Sequence, residues 1–244
     1  MIIAGSTALV TGASSGIGAA IADRLAAAGA RVLAHGRDAA RLAEIDGARA
    51  IVADLADPDQ VRRLAAEADD VEILVANAGI GYAGDFAAMP DSDIDRLLQV
   101  NLAAPIQLTH ALLPALVCHE RAAIVYVTSI AGRMGAQGEA VYAATKAGLD
   151  AFAESLRFEL PRHVTVGVLV PGVVDTPFFV RRGRPYDRAR PKPVPAAVLA
   201  DACIRMIRSG AAEVYRPNWL RAPVAIRGLV PRTYRTLAGR FGGS

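Results

Sequence analysis

Ala8-Leu9-Val10-Thr11-Gly12-Ala13-Ser14-Ser15-Gly16-Ile17-Gly18 joins a short apolar run to a glycine-rich turn and then to a helical pattern, and no other segment constrains the architecture as strongly. Glycines at such a junction permit the tight turn, let the backbone approach a pyrophosphate, and allow the helix to pack close to the strand. The amino terminus of the helix adds free N–H groups and the positive end of its dipole, which suit the phosphates of a dinucleotide. Gly12, Ser14, Ser15, Gly16, Ile17 and Gly18 are therefore candidate cofactor-binding residues. A bare structural turn is the other use of a glycine cluster, and its position between strand and helix favours the dinucleotide reading.

Outward from this turn, short apolar runs alternate with longer helical patterns, the signature of βαβ units around a parallel sheet. The expected strands are Ala8–Thr11, Arg31–Ala34, Ala50–Ala53, Ile73–Ala76, Ala123–Thr128, Thr165–Val170 and, more weakly patterned, Glu213–Tyr215. Most are continuous and rich in valine or isoleucine, as in strands covered on both faces. Ile17, Ile21 and Leu25 give the first helix an apolar stripe, and Asp57-Pro58 reads as a capped helix start. Asp91–His119 reads as one long helix with kinks expected at Pro105 and Pro114, and Val141–Leu160 as a second. The expectation is one α/β domain over residues 1–244, a Rossmann-type doubly wound parallel sheet with a basic carboxyl-terminal extension.

A chain of 244 residues, 53% hydrophobic and 21% charged, has ample material for one buried core. Met1 to Thr11 lacks the basic start and long apolar run of a secretory signal, and prolines and arginines interrupt the long apolar stretches, which argues against a spanning helix. Cys118 and Cys203 are the only cysteines, too few and too far apart for a disulfide framework or a metal site; both read as small buried hydrophobes, and a cytoplasmic location is expected. The net charge of +3 hides an asymmetry. Thr176–Ser244 carries +11 and Met1–Asp175 carries −8.

The turn, with three residues between its first two glycines, resembles that of the short-chain dehydrogenase/reductase family, Thr-Gly-x-x-x-Gly-x-Gly. Further motifs follow in the family's order, from Ser6 to about Thr176. They are Asp54-Leu55, Asn77-Ala78-Gly79, Asn101, Ser129, Tyr142-Ala143-Ala144-Thr145-Lys146 and Pro171-Gly172-Val173-Val174-Asp175-Thr176. The resemblance implies that Asp54 and Leu55 flank the adenine and that Asn77, Ala78 and Gly79 line the cofactor. It places the backbone of Pro171, Gly172 and Val174, with Thr176, near the nicotinamide carboxamide. It also implies a homodimer or homotetramer assembled through the two long helices.

The end of the second strand reads Ala34-His35-Gly36-Arg37. An acid there would bind the ribose hydroxyls of NAD and repel a 2′-phosphate. NAD-specific relatives carry aspartate where this chain has Gly36, whereas Arg37 offers a fork-shaped cationic donor for a phosphate. NADP is the expected cofactor, NAD the less favoured one. Against this, Ala13-Ser14-Ser15 lacks the basic residue that some NADP-binding relatives place in the turn.

Tyr142 and Lys146 are four apart on a helix and share one face. A phenol ordinarily titrates near 10, and a nearby ammonium would lower that value, which gives the pair its logic for proton transfer. Alone, such a pair is an ordinary surface feature, and Ser129 and Asn101 are equally bland. In the expected order behind a dinucleotide turn, the four form a candidate catalytic set. By resemblance, Tyr142 exchanges the proton of a carbonyl or hydroxyl oxygen, Lys146 also holds the nicotinamide ribose, Ser129 orients the substrate, and Asn101 supports a water-linked proton path. The Tyr-x-x-x-Lys spacing sets the chain apart from the family's enoyl-reducing branch and favours carbon–oxygen chemistry.

The expected pocket walls are Ile80–Gly84, Ile130–Glu139 and the Phe178–Pro191 loop, with Met134, Phe178 and Phe179 as apolar surface. Arg133, Arg181 and Arg182 are candidates for meeting an anionic substrate group. Arg216–Arg240 holds six arginines, no acids, and Trp219, Leu220, Ile226, Leu229, Tyr234 and Leu237. It reads first as a cap over the pocket or across a subunit boundary, with a peripheral membrane contact as the alternative. No nucleic-acid-binding motif is present, and the partner expected at the site is a small carbonyl or alcohol. A cofactor-binding sensor without turnover is the competing reading of the whole chain.

Overall fold

The computed structural model describes residues 1–232 and 234–236. Its first half runs β1 (Thr7–Thr11), α1 (Gly16–Ala27), β2 (Arg31–Gly36), α2 (Ala39–Ala43), β3 (Arg49–Val52), α3 (Pro58–Glu67) and β4 (Ile73–Ala76). Then come α4 (Asp91–Leu98), α5 (Ala104–Cys118), β5 (Ala122–Val127), α6 (Ile130–Met134), α7 (Ala140–Glu159) and β6 (Val164–Pro171). The chain continues through β7 (Val174–Asp175), α8 (Phe178–Arg181), β8 (Val194–Pro195), α9 (Ala196–Ser209), β9 (Glu213–Arg216) and α10 (Arg221–Leu229). Seven strands form one sheet in the order β3-β2-β1-β4-β5-β6-β9, with every pairing parallel. All seven expected strands are present, each within a residue or two of its expected ends.

Strand alternation splits the core in two. Leu9 and Leu74 face a cluster with Leu64, Leu108, Leu112 and Leu149, so α3, α5 and α7 cover that side. Ala8, Val10, Ile73 and Val75 face Ile21, Leu25, Leu199 and Cys203, so α1 and α9 cover the other. Asp57 accepts from the N–H groups of Asp59 and Gln60 and, with Pro58 in the first turn, starts α3 as expected.

Four expectations need correction. The long helix breaks as a π-helical segment at Gln99–Ala103 and not at the prolines. Pro105 falls in the first turn of α5, where its missing N–H costs nothing. Asp91–Cys118 is long and apolar enough, by length and composition, to cross a bilayer, although Leu108, Leu112 and Leu116 are spent on the core. Of the two cysteines only Cys203 is buried, and Cys118 is exposed at the end of α5. The expected Phe178–Pro191 loop begins with α8, and the residues just after it form β8, which pairs with β7.

Sheet order reverses between β1 and β4, so the carboxyl ends of these strands open into a crevice, the place where such folds bind nucleotides. Its volume is about 2470 Å³.

Candidate active site

The glycine turn sits at the floor of this crevice. Gly12 and Gly16 have φ of +70° and +58°, a backbone region that other residues enter only with strain. A Cβ on Gly18 would lie 2.2 Å from the Gly12 carbonyl oxygen, so this glycine serves contact between helix and strand and does not line the cavity. Ser15 caps α1 in extended conformation with no side-chain capping bond, and no acid occupies the first turn. The N–H groups of this helix end are thereby left to an external anion. Thr11 accepts through Oγ1 from the N–H groups of Asn77 and Ala78, both at 3.0 Å, while Asn77 Nδ2 donates to Thr11 O at 2.9 Å. These bonds lock the turn to the end of β4.

At the far end of β2, a Cβ on Gly36 would meet Ser14 Oγ at 2.9 Å. The turn thus crowds the position where an acidic side chain would stand. Arg37 Nη1 lies 3.8 Å from Asp54 Oδ2, both half-exposed at the cavity edge. His35 is buried beside them, its Nε2 3.1 Å from Ala53 O, and burial lowers its pKa to about 4, leaving a neutral ring.

Tyr142 and Lys146 project from α7 into the cavity wall, with Lys146 Nζ 5.9 Å from the phenol ring centroid. Nζ donates to Val127 O at 3.0 Å. Burial pushes the phenol up to about 12, with the Ser129 hydroxyl working against that rise. Burial dominates, and the positive charge that opposes it is that of Arg182 and not, as expected, the Lys146 ammonium. Burial also lowers Lys146 to about 8, and Asp150 one turn further along α7 opposes that fall.

Ser129 caps α6 by accepting from Ala131 N at 3.1 Å, which fixes its hydroxyl at the end of β5. Asn101 lies in the π-helical segment, fully buried behind the cavity surface. Its Oδ1 accepts from Ile80 N at 2.8 Å and its Nδ2 donates to Ile80 O at 2.9 Å. A Cβ on Gly79 would approach Lys146 Nζ at 3.3 Å and Asn101 Oδ1 at 3.4 Å. The missing side chain at Gly79 leaves room beside both groups.

The structure therefore brings all but two of the expected site residues to one cavity, Gly18 and Asn101 lying behind it. Pro171, Gly172, Val174 and Thr176 also line the cavity, with Thr176 packed against Gly16 of the turn. Phe178 stacks at 5.5 Å from Tyr142, and Phe179 packs between Phe178 and Tyr186, giving the outer cavity an aromatic wall.

Of the three arginines expected to meet an anionic substrate, Arg181 and Arg182 line the cavity and Arg133 does not. Arg133 pairs with Asp150 at 2.8 Å and Glu213 at 2.6 Å, outside this cavity. Arg182 pairs with Glu139 and lies over the Phe179 ring at 4.5 Å. Arg181 donates to the Ser15 hydroxyl at 2.9 Å. This contact sets a guanidinium beside a turn that carries no basic residue of its own, between residues 166 apart in the chain.

The cradle fits a dinucleotide. The missing Cβ atoms of Gly12 and Gly16 let the turn close against Ala78 and Thr176, and uncapped helix N–H groups with the Arg181 guanidinium stand where phosphates would lie. Residues 6–186 match the model of the short chain dehydrogenase family. The chain is 37% identical over 182 residues to the 3-oxoacyl-(acyl-carrier-protein) reductase FabG of Escherichia coli K12, covering 70% of this chain and 75% of that one. It is 36% identical over 247 residues to the cyclic-di-GMP-binding biofilm dispersal mediator protein of the same organism, covering 98% of each. Among solved structures, it is similar to a short-chain dehydrogenase from Sphingobium yanoikuyae in complex with NADPH. There the TM-score is 0.80 at 30% identity, covering 93% of this chain and 96% of that one. The glycine turn, the locked β4 loop and the Tyr142–Lys146 pair fall within the matched span, and the chain belongs to the short-chain dehydrogenase/reductase family of NAD(P)-dependent oxidoreductases.

Proposed function

We propose that the protein interconverts a small-molecule carbonyl compound and its alcohol, with NADP as the preferred cofactor and Tyr142 as the proton-transfer group. The observation that carries this reading is the buried Tyr142 phenol on the cavity wall, with Ser129 beside it and the Lys146 ammonium above Gly79. A bound nicotinamide would supply or accept the hydride. Held at about 12, the phenol stays protonated at neutral pH and can donate to a carbonyl oxygen, the acid role in the reducing direction. Ser129, its hydroxyl fixed by the α6 cap, offers a second polar contact to that oxygen. Lys146 holds positive charge near the phenol and favours the phenolate left after donation.

Support for NADP comes from the crowding at Gly36 and from Arg37 at the cavity edge. A 2′-phosphate would compete with Asp54 for that guanidinium. A homodimer or homotetramer through the two long helices, α4–α5 and α7, is proposed with it; both helices carry exposed apolar side chains, Leu98, Val117 and Phe158.

A second reading is a nucleotide-binding mediator without turnover, favoured by the full-length likeness to the biofilm dispersal mediator. Hydride transfer followed at the reduced-nicotinamide band, over a panel of ketones, aldehydes and alcohols, separates the two. Turnover with NADPH that vanishes in Tyr142→Phe supports the enzyme. Tight NADPH binding with no turnover across the panel favours the mediator.

A further inference from the structure

The segment after β9 has two apolar sides, and the protein uses one. Leu220 is buried and Val224 packs against the main core, which seats α10 on the body. At about 100° per residue, Ile226, Leu229 and Val230 fall on the face opposite Val224. They are 48%, 82% and 46% exposed, and Trp219, just before the helix, is 55% exposed. Single apolar side chains on a surface are ordinary, but four gathered on one short segment mark a contact site.

The segment that carries this face is cationic. Among the described residues, 216–232 and 234–236 hold five arginines and no acid, and Arg232 and Arg235 are exposed. An apolar face rimmed by arginine complements an anionic lipid surface, where each cation near the headgroups contributes favourably. A second copy would bring the same cations together across a two-fold axis, which argues against self-association through this face. Nucleic acid would meet the charge but leave the apolar side chains uncovered.

The face also borders the active-site cavity. Trp219, Pro223, Tyr234 and Arg235 line its rim. We propose that the outward face of α10, with Trp219, docks on an anionic membrane surface. Ile226, Leu229 and Val230 enter the interfacial region, and Arg232 and Arg235 meet the headgroups. The cavity mouth is thereby held at the lipid boundary, where an apolar carbonyl compound would enter.

Trp219 is the sole tryptophan, so its emission reports on this face directly. The full chain is mixed with phosphatidylglycerol-containing or pure phosphatidylcholine vesicles, and binding is read by flotation and by the Trp219 emission maximum. The expected result is binding and a blue shift with the anionic vesicles alone, weakened by salt. Arg232→Gln should weaken it about fivefold, the effect of one arginine near the surface, and Leu229→Asp should weaken it further. Both side chains are exposed and outside the cavity lining, so NADPH binding by the variants serves as the control for folding, independent of turnover. Absence of binding to anionic vesicles overturns the proposal, as does binding that neither variant weakens. Oligomers of the wild type that Leu229→Asp dissociates, without vesicle binding, would reassign the face to a contact between copies.

Discussion

Arg181 Nη1 reaches from α8 to donate to the Ser15 hydroxyl at 2.9 Å, joining segments 166 residues apart across the mouth of the crevice. The turn's own sequence is Ala13-Ser14-Ser15, without a cation. An exposed guanidinium delivered there by the substrate-side loop can meet the phosphates of a bound dinucleotide while staying in contact with Ser15. Arg181→Ala should weaken binding of NADPH and NADH alike by about tenfold, the scale of one charge-assisted hydrogen bond at a solvated site. Titration by nicotinamide fluorescence checks it. A loss confined to kcat, with both dissociation constants unchanged, would return Arg181 to the substrate side.

The proposed preference for NADP draws on a crowding that spacing alone does not show. Because a Cβ at Gly36 would lie 2.9 Å from Ser14 Oγ and 3.0 Å from Ser14 Cβ, an aspartate there forces the turn to give. Arg37→Gln should lower kcat/KM for NADPH about tenfold through loss of one charged hydrogen bond, and spare NADH. Gly36→Asp should favour NADH further, and more strongly when Ser14→Gly removes the obstructing hydroxymethyl group. Equal losses with both cofactors in Arg37→Gln would remove its role in discrimination.

The sheet was legible in the chain because strands covered on both faces must be continuously apolar, as Ile73–Ala76 and Ala123–Thr128 are. The glycine turn was legible because its chemistry is local. Residues whose roles depend on distant partners were not. Arg133 stands in the expected pocket wall by number, yet Asp150 and Glu213 draw it outside the cavity. Tyr142 was expected to be lowered by Lys146, but burial, which a sequence does not display, raises it, and Arg182 supplies the opposing charge. Pro105 was expected to bend a helix that in fact breaks just before it, because a proline in the first turn does no harm. The outer tail expected to carry Leu237 and Arg240 lies outside the described residues.

Asp150 supplies the last test, since it ties the charge of Lys146 to a carboxylate outside the cavity. Burial raises Asp150 to about 6, against the pull of Arg133, Thr128 and Lys146, so it is ionised at neutral pH and supports the ammonium. The folded-state value of Lys146, about 8, lies below the ordinary 10.5. The unfolded chain therefore holds more protons between these values, and stability rises across that window; the cost of burying the ammonium is fully present below about 8. Carbonyl reduction should accordingly decline above about 8 as Lys146 loses its proton while Tyr142 keeps its own. Asp150→Asn withdraws the supporting charge, so the alkaline limb of kcat/KM should move to lower pH, and Asp150→Glu should restore it. The shift is read from pH profiles of NADPH oxidation with one good carbonyl substrate, with cofactor binding measured alongside. A limb that stays in place in Asp150→Asn would mean that the Val127 carbonyl alone holds the ammonium.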